Sequence, residues 1–244
     1  MKTLVIIPSR LSASRLPGKP LLKINGLSII SRVYKTALEA DIGEVFVAAE
    51  DQEIIEDVRK NGGEAILTSN NHNSGTDRIY EALIKLGRTD AELIMNLQGD
   101  EPLMNVEDIQ NLNSNMIKTK RDLGTLAAKI NDKKTFENRN IVKVITEESL
   151  DHSKFPRALN FMRKLDNENS RAYHHLGIYC YNVEILKKFI SFKQSQNEIK
   201  NRLEQLRALD NNININVALA KSSPIGVDTE EDFMAIKKIM EYKS

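Results

Sequence analysis

"EVFVAAEDQEIIEDVRKNGGEAILTS", residues 44–69, decides the fold. Its two ends, 44–50 and 64–69, are short apolar runs of strand length. Between them Ile54, Ile55 and Val58 recur at helical spacing over 52–63, and the run stops at Gly62-Gly63. A buried strand, a helix with a glycine stop and a second buried strand form a crossover unit, which requires parallel pairing. The rhythm extends outward in both directions. "TLVIIP" (3–8) and "AELIMNLQ" (91–98) read as strands, and "LSIISRVYKTALEA" (27–40) and "TDRIYEALIKLG" (76–87) as helices. These runs predict an α/β fold of Rossmann-like kind, a mostly parallel sheet flanked by helices.

After residue 120 the alternation weakens. "GTLAAKI", "IVKVIT" and "HLGIYCY" are strand-like with fewer helices between them, so a mixed-sheet extension is expected over about 121–182 within a single domain spanning 1–244. "NRLEQLRALD" (201–210) reads as one amphipathic helix, "INVALA" as a late strand and "TEEDFMAIKKIMEY" (229–242) as a terminal helix capped by Thr229.

Bulk composition narrows the function. The 244 residues are 41% hydrophobic and 28% charged, with a net charge of +1. That balance excludes a general nucleic-acid binder, which carries a strong basic excess. No apolar stretch approaches the ~18 residues of a membrane span, so no membrane insertion is expected. The one cysteine, Cys180, lies in an apolar run and reads as a buried thiol. A cytoplasmic location is the expectation.

Ligands of open parallel sheets bind beyond the carboxyl ends of the strands. Three unusual segments fall there. "PSRLSASRLPGKPL" (8–21) follows the first strand and carries Arg10, Arg15 and Lys19 with no acid. Around Gly18, where backbone can approach closely, these suit a polyphosphate, although the P-loop spacing is missing. "QGDEP" (98–102) places Asp100 just past a strand, where a carboxylate suits Mg²⁺. Asp228 in "GVDTEED" is either the second metal carboxylate or the cap of the last helix. "HNSGTDR" (72–78) offers a hydroxyl, a glycine and a helix start; it is either a binding loop or an ordinary loop capped by Thr76. Arg157 in "KFPRALN" and the pair His174-His175 follow later, without ligand spacing for zinc. Glu204 and Gln205 fall on the 201–210 run, where a solvated helix face is the plain alternative.

In order, "PSRLSASRLPGKPL", "HNSGTDR", "NLQGDEP", "HHLGIYCY", "LEQLRAL" and "GVDTEED" resemble the 3-deoxy-D-manno-octulosonate cytidylyltransferases, or CMP-Kdo synthetases, over essentially the whole chain. The resemblance implies a nucleotide-diphospho-sugar transferase-like fold and a Mg²⁺-dependent reaction. CTP and Kdo give CMP-Kdo and pyrophosphate, for the inner core of lipopolysaccharide. It also implies a homodimer that uses part of the 121–182 extension.

The residue roles come with it. Arg10 and Lys19 match the phosphate loop, and Ser74, Gly75, Thr76 and Arg78 the loop near the cytidine. Asp100 and Asp228 match the metal carboxylates. Arg15, Gln98, Arg157, His175, Tyr179, Glu204 and Gln205 match the sugar-facing positions. Two other readings remain at this level: a cytidylyltransferase for another sugar acid, such as 8-amino-Kdo or a sialic-acid relative, and a nucleotide-binding regulator without turnover.

Overall fold

β1 (Thr3–Ser9) is buried at all seven positions because strands pair with it on both sides. The structure is a computed structural model that describes residues 1–12, 15–72, 74–88, 90–165 and 169–242. Ala13 and Ser14 of the basic loop, and Asn73 of "HNSGTDR", lie outside the described residues. Contacts divide the chain into two units, residues 1–110 with 224–244, and residues 111–223.

In the first unit β1 leads through a 3-10 turn (Lys19–Leu21) to the short strands β2 (Lys23–Ile24) and β3 (Leu27–Ser28). Then come α1 (Ile29–Glu39), β4 (Gly43–Ala49), α2 (Gln52–Lys60), β5 (Ala65–Leu67), α3 (Gly75–Leu86) and β6 (Leu93–Asn96). The strands lie in the order β6-β1-β4-β5, all parallel, with Val5 opposite Val45 on one side and Met95 on the other. This is the crossover sheet that 44–69 demands. The 27–40 run differs at its start: Leu27 and Ser28 pair with β2 around Asn25-Gly26, both at positive φ, and the helix begins at Ile29. An Asn-Gly pair supplies that backbone shape at low cost. Gly43 is required by close approach, since a Cβ there would lie 1.9 Å from the carbonyl oxygen of Thr3.

The unit boundary falls within α4 (Val106–Thr119). The second unit continues with β7 (Leu123–Ala128), α5 (Lys133–Glu137), β8 (Lys143–Thr146), β9 (Ala158–Met162) and β10 (Ala172–Asn182). It ends with α6 (Val183–Ser191), α7 (Gln196–Asn201), α8 (Leu206–Asp210) and β11 (Ile215–Leu219). β11 joins β7 in parallel, and β7-β10-β8-β9 run antiparallel, so the sheet is mixed as expected. The chain then returns to the first unit with α9 (Glu230–Tyr242), whose Ile236 packs with Ile24, Ile29 and Val227. No described helix is long and apolar enough to cross a membrane.

The single helix expected over 201–210 does not form. Arg202 adopts the left-handed conformation at φ 53°, and the chain is helical only up to Asn201 and again from Leu206. A buried ion pair explains the break. Arg207 donates to both carboxylate oxygens of Glu198 at 2.8 and 2.5 Å and stacks 4.7 Å from the Phe189 ring centre. On one continuous helix nine residues would separate these partners by about 13 Å, beyond side-chain reach. The turn at 202–205 brings them together, and Glu204 and Gln205 lie on that turn rather than on a helix face.

Glu198→Ala leaves Arg207 buried without its main partner, and a loss of about 3–5 kcal/mol is expected. Urea denaturation measures it. Replacing both together, Glu198→Leu with Arg207→Met, is expected to recover most of the loss; a double variant as weak as the single one would refute the ion pair as the cause.

Candidate active site

At the carboxyl ends of β1 and β6 lies a cavity of about 320 Å³. Arg10, Arg15, Lys19, Ser74, Gly75, Gln98, Asp100 and Asp228 line it, together with Arg78 and His72. Every one of these residues belongs to the first unit. Thr76 does not line it; it is buried within the first turn of α3.

The basic loop is fixed at several points. The Leu11 N–H donates to Asp51 at 2.7 Å, and the Gly18 N–H to the Leu11 carbonyl at 3.1 Å. Gly18, at φ 71°, then starts the 3-10 turn, which carries Lys19. That φ favours glycine, which adopts it without the cost a Cβ brings. Lys19 reaches three distant groups. Its Nζ donates to Asp100 at 2.5 Å, to the Val227 carbonyl at 2.9 Å and to Asp228 at 3.4 Å. Arg15 meets Asp228 at 3.2 Å. Arg10 is exposed and forms no ion pair among the described residues. Arg15 and Lys19 are therefore compensated by acids that the sequence places far away, and Arg10 is not.

Asp100 is held by Gly99 and by the returning chain. A Cβ on Gly99 would lie 2.9 Å from the Pro8 carbonyl oxygen and 3.0 Å from Ile30 Cδ1, so only glycine lets this loop lie against β1. The Val227 N–H donates to the Asp100 carbonyl at 2.8 Å. Thr229, not Asp228, caps α9: its hydroxyl accepts from the Asp232 N–H at 3.2 Å while Asp232 accepts from the Thr229 N–H at 2.9 Å. The alternative of Asp228 as a cap is thereby excluded, and its carboxylate is left for the cavity. Asp100 and Asp228 converge on one ammonium, the arrangement two carboxylates need to share a cation. Among the described residues no cluster of three His, Cys, Asp or Glu side chains could hold a metal.

The "HNSGTDR" loop opens α3. Ser74, not Thr76, is the cap, in a reciprocal pair with Asp77. Gly75 lies against Pro8. Arg78 is almost fully buried and is spent internally: it donates to the Thr68 hydroxyl at 2.6 Å, to the Ser69 carbonyl at 3.1 Å and to Glu50. Ser9, also on the wall, buries a hydroxyl with no hydrogen-bond partner among the described residues. His72 is a cavity residue that the sequence reading passes over, because a histidine in a loop carries no periodic signal; its Nε2 is bonded to Glu81.

The remaining predicted residues belong to the second unit. His175 and Tyr179 on β10 are buried side by side, their rings 5.4 Å apart, with Phe161 edge-on to His175 at 5.0 Å. Burial lowers the His175 imidazole to about 3, so it is neutral, with Nε2 3.0 Å from the Thr125 hydroxyl. Burial raises the Tyr179 phenol well above its usual range, with Tyr181 and Glu204 adding to the effect. Gln205 is buried and Glu204 partly so. Arg157 is different: it is half exposed and bonded twice to Glu147, at 3.0 Å each.

The sequence profile described as Cytidylyltransferase matches residues 4–215. A 3-deoxy-manno-octulosonate cytidylyltransferase of Afipia carboxidovorans is 42% identical over 98% of this chain and 96% of its own length. One from Haemophilus influenzae is 38% identical over 98% of this chain and 99% of its own. The solved structure of CMP:2-keto-3-deoxy-manno-octonic acid synthetase complexed with CTP covers 100% of both chains with a TM-score of 0.90 at 34% identity. UDP-glucose pyrophosphorylase, at 13% identity and a TM-score of 0.73 over 100% of both chains, shares the fold. The fold is that of the nucleotide-diphospho-sugar transferases, and the chain belongs to the cytidylyltransferase family, among the 3-deoxy-manno-octulosonate cytidylyltransferases.

Proposed function

We propose that this chain activates Kdo, transferring the cytidylyl group of CTP to the sugar acid with release of pyrophosphate. The observation that carries the reading is the cavity that Arg10, Arg15 and Lys19 line, with Arg15 and Lys19 paired to Asp228 and Asp100 on the same wall. The anomeric hydroxyl oxygen of Kdo forms a bond to the α-phosphorus of CTP. The bond from that phosphorus to the bridging oxygen breaks, pyrophosphate leaves, and the hydroxyl proton passes to solvent. Negative charge spreads over the phosphoryl oxygens in the transition state, so catalysis consists of positioning and cations, with no covalent intermediate on the protein.

Arg10 and Lys19 bind and orient the triphosphate. Ser74 and Gly75 approach the nucleoside, and the Ser9 hydroxyl gains a partner there, as a buried unpaired polar group requires. Thr76 and Arg78 act behind them: Arg78 holds the loop to Glu50 and Thr68, and Thr76 packs the first turn of α3.

Asp100 and Asp228 fit Mg²⁺, which takes one or two carboxylates and completes its shell with phosphate oxygens and water. Bound there, the ion supplies Lewis-acid charge and lowers the pKa of a coordinated hydroxyl. Asp100 and Asp228 would hold it, and Lys19, which pairs with both carboxylates, would then be available to phosphate oxygens.

For the sugar acid, the candidates on the cavity wall are Arg15 and Gln98. Within the second unit the candidates are Arg157, His175, Tyr179, Glu204 and Gln205, each proposed on the family resemblance. Arg157 offers the fork that a carboxylate takes bidentately, a pairing it already makes with Glu147. Neutral His175 suits sugar hydroxyls rather than the carboxylate. The reading includes a homodimer formed through the 121–182 region, a cytoplasmic location and supply of the lipopolysaccharide inner core. Family membership supports these three.

Pyrophosphate release with CTP, Mg²⁺ and a panel of Kdo, 8-amino-Kdo, a sialic acid and a hexose 1-phosphate tests the reading. Turnover with Kdo above all others is expected, and silence with every sugar despite CTP binding would overturn it. Asp100→Asn is expected to lower kcat by about a thousandfold or more, because the metal's charge is worth several kcal/mol. Activity within tenfold of the parent at saturating Mg²⁺ would remove Asp100 from the metal site. Arg157→Ala is expected to raise the KM for Kdo about tenfold or more and to leave CTP affinity unchanged, as the loss of a charge-assisted pair implies; calorimetry with CTP alone is the control, and a selective loss there reverses the assignment.

A further inference from the structure

Just past β4 stand two adjacent acids, Glu50 and Asp51, neither of which lines the cavity. Both hold segments that do reach it, and all of these groups belong to the first unit. Glu50 accepts from Arg78, behind the start of α3, and from the Ser12 hydroxyl at 3.3 Å. Asp51 accepts from the Leu11 N–H at 2.7 Å.

Asp51 occupies the N-cap of α2. An aspartate there ordinarily accepts from an N–H in the first turn of its own helix. Asp51 makes no such bond; its carboxylate is turned to a residue 40 positions earlier. The strand register explains the reach. β1 and β4 pair in parallel up to Ser9 opposite Ala49, and Leu11 and Asp51 each follow that last pair by two residues. The side chain therefore adds a rung to the ladder after the backbone pairing has ended.

Leu11 is a junction. Its N–H goes to Asp51, and its carbonyl accepts from the Gly18 N–H at 3.1 Å. Arg10 lies between this junction and β1, and Lys19 follows Gly18 directly. One side-chain bond thus restrains the backbone next to Arg10 and the turn that carries Lys19. Arg10 depends on it most, because it is exposed and forms no ion pair among the described residues. A loop already held in place loses less freedom when an anion binds to it.

We propose that Asp51 is a positioning residue for the triphosphate: its carboxylate leaves the cap of α2 unmade and fastens Leu11, and through Leu11 it holds Arg10 and Lys19 in place for the phosphates. This rests on the proposed use of CTP and extends it to a residue outside the cavity.

The test separates the cap from the tether. Asp51→Ser supplies a good N-cap on a side chain one bond shorter, whereas Asp51→Asn keeps an acceptor oxygen at the original length. Calorimetry in Mg²⁺ measures tripolyphosphate, CTP and CMP on each. Asp51→Ser is expected to bind tripolyphosphate and CTP about tenfold more weakly, the effect of one hydrogen bond, with CMP within twofold of the parent. Asp51→Asn is expected to recover most of the loss. In turnover, Asp51→Ser raises the KM for CTP by the same factor and leaves the KM for Kdo within twofold. Unchanged tripolyphosphate affinity in Asp51→Ser, an equal loss for CMP, or an Asp51→Asn as weak as Asp51→Ser overturns the proposal. Should Asp51→Ser fail to fold, Leu11→Pro removes the donor and leaves Asp51 free to cap α2. The same split between tripolyphosphate and CMP supports the proposal, and its absence overturns it. A parent that binds tripolyphosphate but turns over no sugar would sink the proposed function, and the ratio of parent to Asp51→Ser affinities would still decide the tether. Turnover of CTP and Kdo by the parent, with Asp51→Ser indistinguishable from it, would sink the positioning role alone.

Discussion

The ammonium of Lys19 touches three segments that the sequence holds far apart: Asp100 after β6, and Val227 and Asp228 before α9. A lysine buried to this degree needs partners for its charge, and two carboxylates in such proximity need a cation between them. Each side of the contact is therefore the condition for the other. The geometry around it follows. Gly18 must adopt a left-handed turn to present the lysine, Gly99 must lack a side chain for Asp100 to lie close to β1, and Thr229 must cap α9 so that Asp228 is free. A charged cluster tight enough to organise the loops in this way is also the one that the proposed divalent ion and triphosphate would enter by exchanging partners.

The second unit uses charge differently. Around Arg207 and Glu198 the ion pair is sealed among Phe189 and neighbouring apolar groups, and its consequence is conformational: it sets the turn on which Glu204 and Gln205 stand. Next to them His175 is neutral and Tyr179 is protonated, both because burial disfavours their charged forms. Cavity cations of the first unit suit phosphates, whereas neutral donors and acceptors of the second suit hydroxyl groups. The proposed reaction needs both chemistries.

Much of the fold was legible because buried parallel strands announce themselves as unbroken apolar runs. β1, β4 and β6 read that way, whereas β5, at the sheet edge, buries only Ala65 and leaves Leu67 exposed although its run is as apolar. Gly62 and Gly87 marked helix ends through left-handed turns. What was missed has local causes. β2 and β3 are two residues each, too short for a pattern, although Asn25-Gly26 between them is a hairpin signal. α6 went unread although Asn182 caps it. The break at Arg202 could not be seen in a run whose spacing is helical throughout; it comes from a partner nine residues away. In the site, residue types were readable and pairings were not. Lys19 and Asp228 are 209 positions apart, and no local rule connects them. Asp228 stayed ambiguous until Thr229 was seen to take the cap. His72 had no periodicity to single it out.

The first unit is assembled from two stretches of chain, residues 1–110 and 224–244, with the whole second unit encoded between them. A ribosome therefore releases Lys19 and Asp100 well before Asp228. At the ~5–20 residues per second of synthesis, the loop that carries Arg15 waits roughly 10–40 seconds for its acid. During that interval α9 is absent as well, and Ile24 and Ile29 lack the Val227 and Ile236 that later cover them. The nascent chain thus passes through a stage in which its parallel sheet can form while its cavity is excessively basic and its hairpin uncovered. Completion of the site is a late event in the life of each molecule, coupled to the arrival of its last helix.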